Sequence, residues 1–140
     1  MVLLARLSCL LPPEPAVPAM SDLPVFDEEA LLEDTGYDDE FVVTVIDLFL
    51  PQVDELLAEI RQALSRGDAP GVYHAAHTMK GSAGGLHLPA TYEAALRLET
   101  IGRSGDLSEA PAALAALEAE LQRAIAALRV RRAVSAGETA

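Results

Sequence analysis

Apolar residues recur at alternating spacings of four and three along residues 38–65. This spacing places them on one side of an α-helix, whereas a half-buried strand alternates every second residue. A similar series occupies residues 108–131. The pattern predicts an all-α protein. The two series are Val42, Ile46, Phe49, Val53, Leu56 and Ile60, and then Ala110, Leu114, Leu117, Leu121, Ala124 and Leu128.

Helix-breaking residues divide the chain between these series. Gly36, Gly67, Gly102 and Gly105 stand where helices are expected to end. Pro89 limits the third helix because it disfavours helical geometry at the residue before it. Pro51 lies inside the first long helix, so a kink or a local break is expected there. Four amphipathic helices with short connections predict an antiparallel up-and-down four-helix bundle with a short additional N-terminal helix. The expected helices span about residues 26–33, 38–65, 69–86, 90–101 and 108–131.

Composition excludes several classes of partner and site. The 140 residues carry 22 acidic and 10 basic side chains, and the net charge of -12 repels nucleic-acid phosphates and anionic membrane surfaces. Thirteen of the carboxylates lie in residues 22–59, which contain no basic residue. The only cysteine, Cys9, can form neither an internal disulfide nor a thiolate metal site.

The first 21 residues do not fit a targeting segment. No basic residue precedes their apolar run, Arg6 divides it, and four prolines follow, so a signal peptide is not expected. The run is also too short to cross a membrane. We expect residues 1–21 to be a disordered extension or the product of a misassigned start, with Met20 as the first residue of a free-standing cytoplasmic protein. The bundle is expected at residues 22–132, and residues 133–140 form a loose tail.

His77 lies in the most informative segment, the third predicted helix. The apolar series of this helix places the centre of its buried face about 140° from His77, so the imidazole should face solvent. Gly81 follows one turn later, although glycine costs about 1 kcal/mol relative to alanine inside a helix. A residue without a side chain allows another protein to approach closely, which offsets that cost. The buried series is Val72, Ala76, Met79, Ala83 and Leu86.

Lys80 is three residues beyond His77 and is the only lysine of the chain. Residues at this spacing are neighbours on a helix surface, so its ammonium group can reach a group attached to the His77 ring. A flexible point charge suits a transient phosphoryl group. Ser82 is a candidate for an additional hydroxyl contact.

Residues 76–83 read Ala-His-Thr-Met-Lys-Gly-Ser-Ala and resemble the signature of the histidine-containing phosphotransfer (HPt) domains of bacterial phosphorelays. The resemblance extends over about residues 26–128 and includes the acidic segment 26–29, Phe49, and Leu98-Glu99. It implies that His77 is the phosphoacceptor, with Lys80 and Gly81 at matching motif positions. The family usually has a second glycine where this chain has His87. Either Gly84 and Gly85 compensate for the missing glycine, or the partner docks differently at this position.

The resemblance also implies a mechanism and partners. A neutral histidine attacks phosphorus without a separate base, and the chain has no Walker loop or other nucleotide-binding motif, so a relay without its own ATP site is expected. The partners would be response-regulator receiver domains and a hybrid histidine kinase. The receiver would supply Mg²⁺, and the chain, expected to be a monomer, would need no cofactor of its own.

The sequence also allows two other interpretations. His74 and His77 share a helix face and, with His87 or a carboxylate, offer a metal site, although bundle metal ligands usually project inward. Alternatively, the chain is a non-transferring bundle that docks receivers or kinases through additional apolar residues of the first long helix. Burial of these residues under the short N-terminal helix is the preferred explanation for them. They are Val43, Val45, Leu48 and Leu50.

Overall fold

The computed structural model describes residues 23–137, which form five α-helices and no strand. The all-α class is therefore confirmed for this part of the chain. The expectations for residues 1–21 and for the end of the tail, residues 138–140, lie outside the described residues. The helices are α1 (Glu28–Asp34), α2 (Asp39–Ser65), α3 (Ala69–Gly85), α4 (Pro89–Ser104) and α5 (Ala110–Ser135).

Helix α2 forms around the apolar series that predicted it. Asp38 caps its N-terminus, because its carboxylate accepts hydrogen bonds from the backbone N–H groups of the next turn. All six residues of the series are buried. The helix continues through Pro51, so the local break does not occur. Phe49 and Val53 on either side are buried in the same core, which holds the two halves together despite the missing N–H.

Local sequence determines both ends of α3. The Asp68 carboxylate accepts a hydrogen bond from the Gly71 N–H at 3.0 Å. At the other end, the N–H groups of Leu88 and His87 bond to the carbonyls of Ala83 and Gly84 at 2.9 and 3.1 Å, which is the Schellman arrangement. His87 consequently has a φ of 59°, in the left-handed region that glycine adopts most easily. All five residues of the predicted α3 series are buried.

The last two helices are longer than the sequence predicts. Helix α4 continues through Gly102 to Ser104 and ends at Gly105, whose φ is 84°. Gly102 therefore does not stop the helix; it lies in the interface with α3. Helix α5 continues to Ser135, so residues 133–135, expected in a loose tail, belong to it. Ser135 is buried, which shows that the last turn still packs against the protein.

Each long helix packs against two others. The packed pairs are α2 with α3, α3 with α4, α4 with α5, and α2 with α5. A Cβ atom on Gly102 would lie 2.6 Å from the Tyr73 backbone nitrogen, so only glycine permits the observed approach of α3 and α4. This close packing brings side chains of α4 next to the exposed face of α3.

The short helix α1 covers less of α2 than expected. Val43, Val45 and Leu50 are partly buried, but Leu48 is 70 % exposed, so its expected burial under α1 is wrong. The reason is the size of α1, which has seven residues and buries only Leu31. Leu48 instead lines a groove of about 710 Å³ between α1, α2 and α3. Within residues 23–137, no helix is long and apolar enough to span a membrane.

Candidate functional site

His77 lies on the outer face of α3, and its side chain is 57 % exposed. The predicted exposure is therefore confirmed. The ring is nevertheless anchored, because its Nδ1 atom lies 2.8 Å from Oε2 of Glu99 on α4. A carboxylate only accepts hydrogen bonds, so Nδ1 carries the hydrogen. In the neutral ring the free lone pair is then on Nε2, at the edge of the ring away from Glu99.

Glu99 contacts His77 and two positively charged side chains beside it. Its side chain is only 1 % exposed, and it contacts Lys80 as well as His77 and Arg103. Burial by itself raises the pKa of Glu99, but the contacts with Lys80 and His77 outweigh burial and hold this pKa below its ordinary value. The carboxylate is therefore ionised at neutral pH and available as an acceptor.

Lys80 points toward Glu99 in this structure. Its Nζ atom lies 2.8 Å from Glu99 Oε1, its side chain is 20 % exposed, and the ring of Tyr92 lies 5.9 Å from the ammonium group. The contact with Glu99 raises the pKa of Lys80, so the ammonium stays charged. Lys80 and His77 thus meet at the two oxygens of one carboxylate.

Gly81 and Ser82 have different surroundings. A Cβ atom on Gly81 would meet nothing within 4 Å, so the surface beside His77 is open at this residue. Ser82 is five residues from His77, about 140° around the helix axis. Its hydroxyl donates a hydrogen bond of 2.8 Å to Gln52 Oε1 on α2, so the structure does not bring it into the cluster of His77, Lys80 and Glu99.

Two residues complete the surroundings of His77. Tyr73 stacks on the imidazole with ring centroids 5.8 Å apart, and Arg103 lies 5.2 Å from the centre of the Tyr73 ring. Arg103 also donates a hydrogen bond to Glu99 Oε2 at 3.3 Å. Sequence reasoning did not assign a site role to Tyr73, Glu99 or Arg103. The one indication in the sequence was that Glu99, a charged residue, follows Leu98 on the buried face of α4.

The three histidines do not share one site. His77 is bonded to Glu99, whereas His87 Nε2 lies 2.5 Å from Asp34 Oδ2 at the end of α1. His74 contacts the Tyr73 ring edge-on. Over the described range 23–137, no group of three or more His, Cys, Asp or Glu residues could hold a metal ion. The separate partners of His77 and His87 are the physical reason against the metal site considered from the sequence.

The backbone at His87 favours glycine, which is the usual residue at this position in the family that the sequence resembles. Residue 87 is the left-handed residue of the turn that ends α3, and its carbonyl accepts a hydrogen bond from the Asp27 N–H at 2.8 Å. Gly84 and Gly85 lie within the helix and have other surroundings, so they do not replace a glycine at this turn. The chain retains the turn, with a histidine in it.

Comparisons with known proteins identify the family of this chain. The sequence model of the Hpt domain family matches residues 44–127, more than half of the chain and the whole of α3 and α4. The crystal structure of histidine-containing phosphotransfer protein B (HptB) from Pseudomonas aeruginosa PAO1 is similar, with a TM-score of 0.74 and 26 % sequence identity. That match covers 78 % of this chain and 95 % of the other. A search of curated proteins gives no match. The chain belongs to the Hpt domain family.

Proposed function

We propose that this chain relays a phosphoryl group between receiver domains, with Nε2 of His77 as the atom that carries it. Hpt domains are histidine phosphotransfer carriers of two-component signalling. The observation that supports the proposal is the contact between Glu99 and Nδ1, which leaves the lone pair on Nε2 of an exposed side chain. The phosphoryl group would come from the phospho-aspartate of one receiver and pass to the aspartate of another.

The transfer needs no additional base on this chain. The Nε2 lone pair forms the N–P bond while the P–O bond to the donor aspartate breaks, and the departing carboxylate takes the bonding electrons. The hydrogen on Nδ1 remains bonded to Glu99, which stabilises the positive charge that develops on the ring. In the second transfer, an aspartate oxygen of the acceptor attacks phosphorus and the N–P bond breaks, which returns neutral His77.

Lys80 and Arg103 supply positive charge beside the reacting ring. Both already contact Glu99, so the cluster combines one negative and two positive side chains around the imidazole. We propose that Lys80 stabilises charge on the phosphoryl oxygens. Its flexible chain permits the ammonium to approach them while Arg103 continues to balance Glu99.

The receiver would dock over the face that carries His77. Gly81 leaves this face open, and the apolar groove with Leu48 lies beyond Ser82 and Gly85 on the neighbouring side of α3. The receiver would also supply the acidic pocket and Mg²⁺, so this chain would need no cofactor of its own. A hybrid histidine kinase that contains a receiver is a candidate donor.

We further propose an antiparallel up-and-down arrangement of α2–α5 in a cytoplasmic monomer. The cyclic order of packed pairs and the short connections support the arrangement. The net charge of -12 supports a monomer, since like charges oppose self-association. Sedimentation tests whether the protein is a monomer, and cell fractionation tests whether it is cytoplasmic.

The decisive experiment is incubation with phosphorylated receiver domains from the same organism, followed by intact mass. We expect wild-type protein to gain one acid-labile, base-stable phosphoryl group, and His77→Gln to gain none while its circular dichroism stays unchanged. Labelling of His77→Gln would refute the assignment.

Lys80→Ala provides a second test of the proposed chemistry. We expect slower transfer, by up to the roughly 10²–10³-fold that removal of one stabilising donor costs, with His77 still labelled at long times. Lys80→Arg is the matched control because it retains the charge. An unchanged rate in Lys80→Ala would remove Lys80 from the mechanism.

A docking module that binds receivers without transfer is the second candidate function. The exposed apolar residues Phe41 and Leu48, 48 % and 70 % exposed beside the 710 Å³ groove, favour it. Binding to a phosphorylated receiver in a pull-down, without loss of the receiver's label, would support this function over the relay.

A further inference from the structure

We propose that Tyr73 is a positioning residue for His77. The Tyr73 ring would hold the imidazole in the orientation that presents Nε2, and Arg103 would in turn hold Tyr73. The consequence for transfer rests on the proposed function, whereas the orientation of the ring can be measured without any transfer.

Tyr73 lies one helical turn before His77 on α3, at the spacing at which side chains meet. The planes of the two rings differ by 17°, and their centroids are 5.8 Å apart. This geometry is within the range of offset aromatic stacking. One face of the imidazole is therefore adjacent to the Tyr73 ring, while Glu99 binds the Nδ1 edge.

Arg103 connects Tyr73 to the same carboxylate. Its guanidinium carbon lies 5.2 Å from the centre of the Tyr73 ring, within the range of a cation–π contact, and its Nη2 atom donates to Glu99 Oε2. The four side chains thus form a closed cycle, His77 to Glu99 to Arg103 to Tyr73 and back. Two contacts of the cycle are one turn apart within a helix, and two cross between α3 and α4.

The backbone beneath Tyr73 is also tightly placed. Tyr73 N and Cα would lie 2.6 and 2.9 Å from a Cβ atom on Gly102, so the two helices meet directly under this ring. The Tyr73 hydroxyl makes no hydrogen bond in the part of the chain that the structure describes. The ring itself, and not the hydroxyl, therefore carries the contacts with His77 and Arg103.

A single hydrogen bond to Glu99 does not fix an exposed ring. Without Tyr73 the imidazole can turn about the Nδ1 contact or leave it for another of its three χ1 rotamers. Each such movement takes Nε2 out of line with the attacked phosphorus. We therefore expect loss of the Tyr73 ring to slow phosphorylation of His77 by roughly three- to tenfold.

The experiment compares Tyr73→Leu, Tyr73→Phe and His74→Ala with wild type. Leucine keeps an apolar side chain on the helix without an aromatic face, phenylalanine keeps the face, and His74→Ala removes the other aromatic neighbour of Tyr73. Phosphoramidate, a small donor that needs no partner protein, and a phosphorylated receiver are each used to measure the rate. Long-range ¹H–¹⁵N spectra of the unphosphorylated proteins report the tautomer and mobility of His77.

We expect Tyr73→Leu to lower both rates three- to tenfold and to shift the His77 nitrogen signals toward an average of tautomers. Tyr73→Phe should recover most of the rate, and His74→Ala should match wild type. Wild-type nitrogen signals in Tyr73→Leu would overturn the positioning role, as would an unchanged rate. If wild-type protein accepts no phosphoryl group from any donor, the proposed relay fails, and the spectra still decide whether Tyr73 orients the ring.

Discussion

Glu99 determines which nitrogen of His77 is free to react. It is almost completely buried, yet it is ionised because Lys80 and His77 counteract the effect of burial on its pKa. A glutamine at this position would keep a hydrogen-bond acceptor but not the charge. The charge of Glu99 therefore contributes to the stability of the protein and also holds the imidazole in its orientation.

We predict that Glu99→Gln destabilises the protein at neutral pH and that the difference from wild type narrows in acid. The pKa of Glu99 is lower in the folded protein than the ordinary 4.5, so its charge contributes fully above about pH 4.5 and loses its contribution as the pH falls toward the folded pKa. Urea unfolding of both proteins between about pH 7 and pH 3 measures this. A difference in the free energy of unfolding that is constant with pH would contradict the prediction.

At the scale of helices, two glycines have different roles. One allows two helices to pack closely, and the other leaves the surface beside His77 open to a partner. Gly102 lies in the interface between α3 and α4, where a Cβ atom would be 2.6 Å from the backbone of Tyr73. Gly81 lies on the open surface, with nothing within 4 Å of its Cβ position. The same substitution should therefore have opposite effects on stability at the two positions.

We predict that Gly102→Ala lowers the free energy of unfolding by about 1–3 kcal/mol, because the two helices must separate. Gly81→Ala should raise it by up to about 1 kcal/mol, because alanine is the better helix former, while slowing transfer from a receiver. Chemical unfolding and the transfer assay test the pair. A destabilised Gly81→Ala would show that this glycine has a packing role.

His87 provides an independent test of the turn between α3 and α4. Its φ of 59° is strained for any residue with a side chain, and its imidazole contacts Asp34. We predict that His87→Gly is about 1 kcal/mol more stable than His87→Ala, since both lose the imidazole and only glycine relieves the strain. Equal free energies of unfolding for the two variants would show that the turn does not constrain this residue.

The whole molecule carries a strong negative charge concentrated toward its N-terminal half. The net charge is -12, and residues 22–59 contain no basic side chain. Several arginines later in the chain partly balance it, for example Arg132, which contacts Asp47 on α2 at 2.6 Å. Repulsion among the remaining carboxylates opposes the compact state.

We predict that added salt stabilises this protein. Screening weakens the repulsion, so the Tm should rise by a few degrees between about 0.02 and 0.5 M NaCl. Asp54→Asn combined with Glu59→Gln, two exposed positions on α2, should raise the Tm at low salt and reduce the effect of salt. A Tm that falls with salt would show that ion pairs such as that of Arg132 contribute more than the repulsion costs.

The sequence by itself determined the helices and the exposure of His77. Those properties depend on contacts within three or four residues, so the apolar series of α2, α3 and α5 can be recognised from the local sequence. The motif around His77 also indicated the family. The helix ends at Ser104 and Ser135 were missed because Gly102 packs against α3 inside its helix and Ser135 is buried against the protein. Neither contact can be seen in the local sequence.

Only the tertiary structure decided the partners of His77. Glu99 is 22 residues away in sequence, and it reaches the imidazole because Gly102 lets α4 pack closely on α3. Arg103, on the same helix, contacts Glu99 and the Tyr73 ring. The same packing directs Lys80 toward Glu99, whereas the fold directs Ser82 toward Gln52. Such contacts depend on how two helices meet, and no spacing within one helix encodes that geometry.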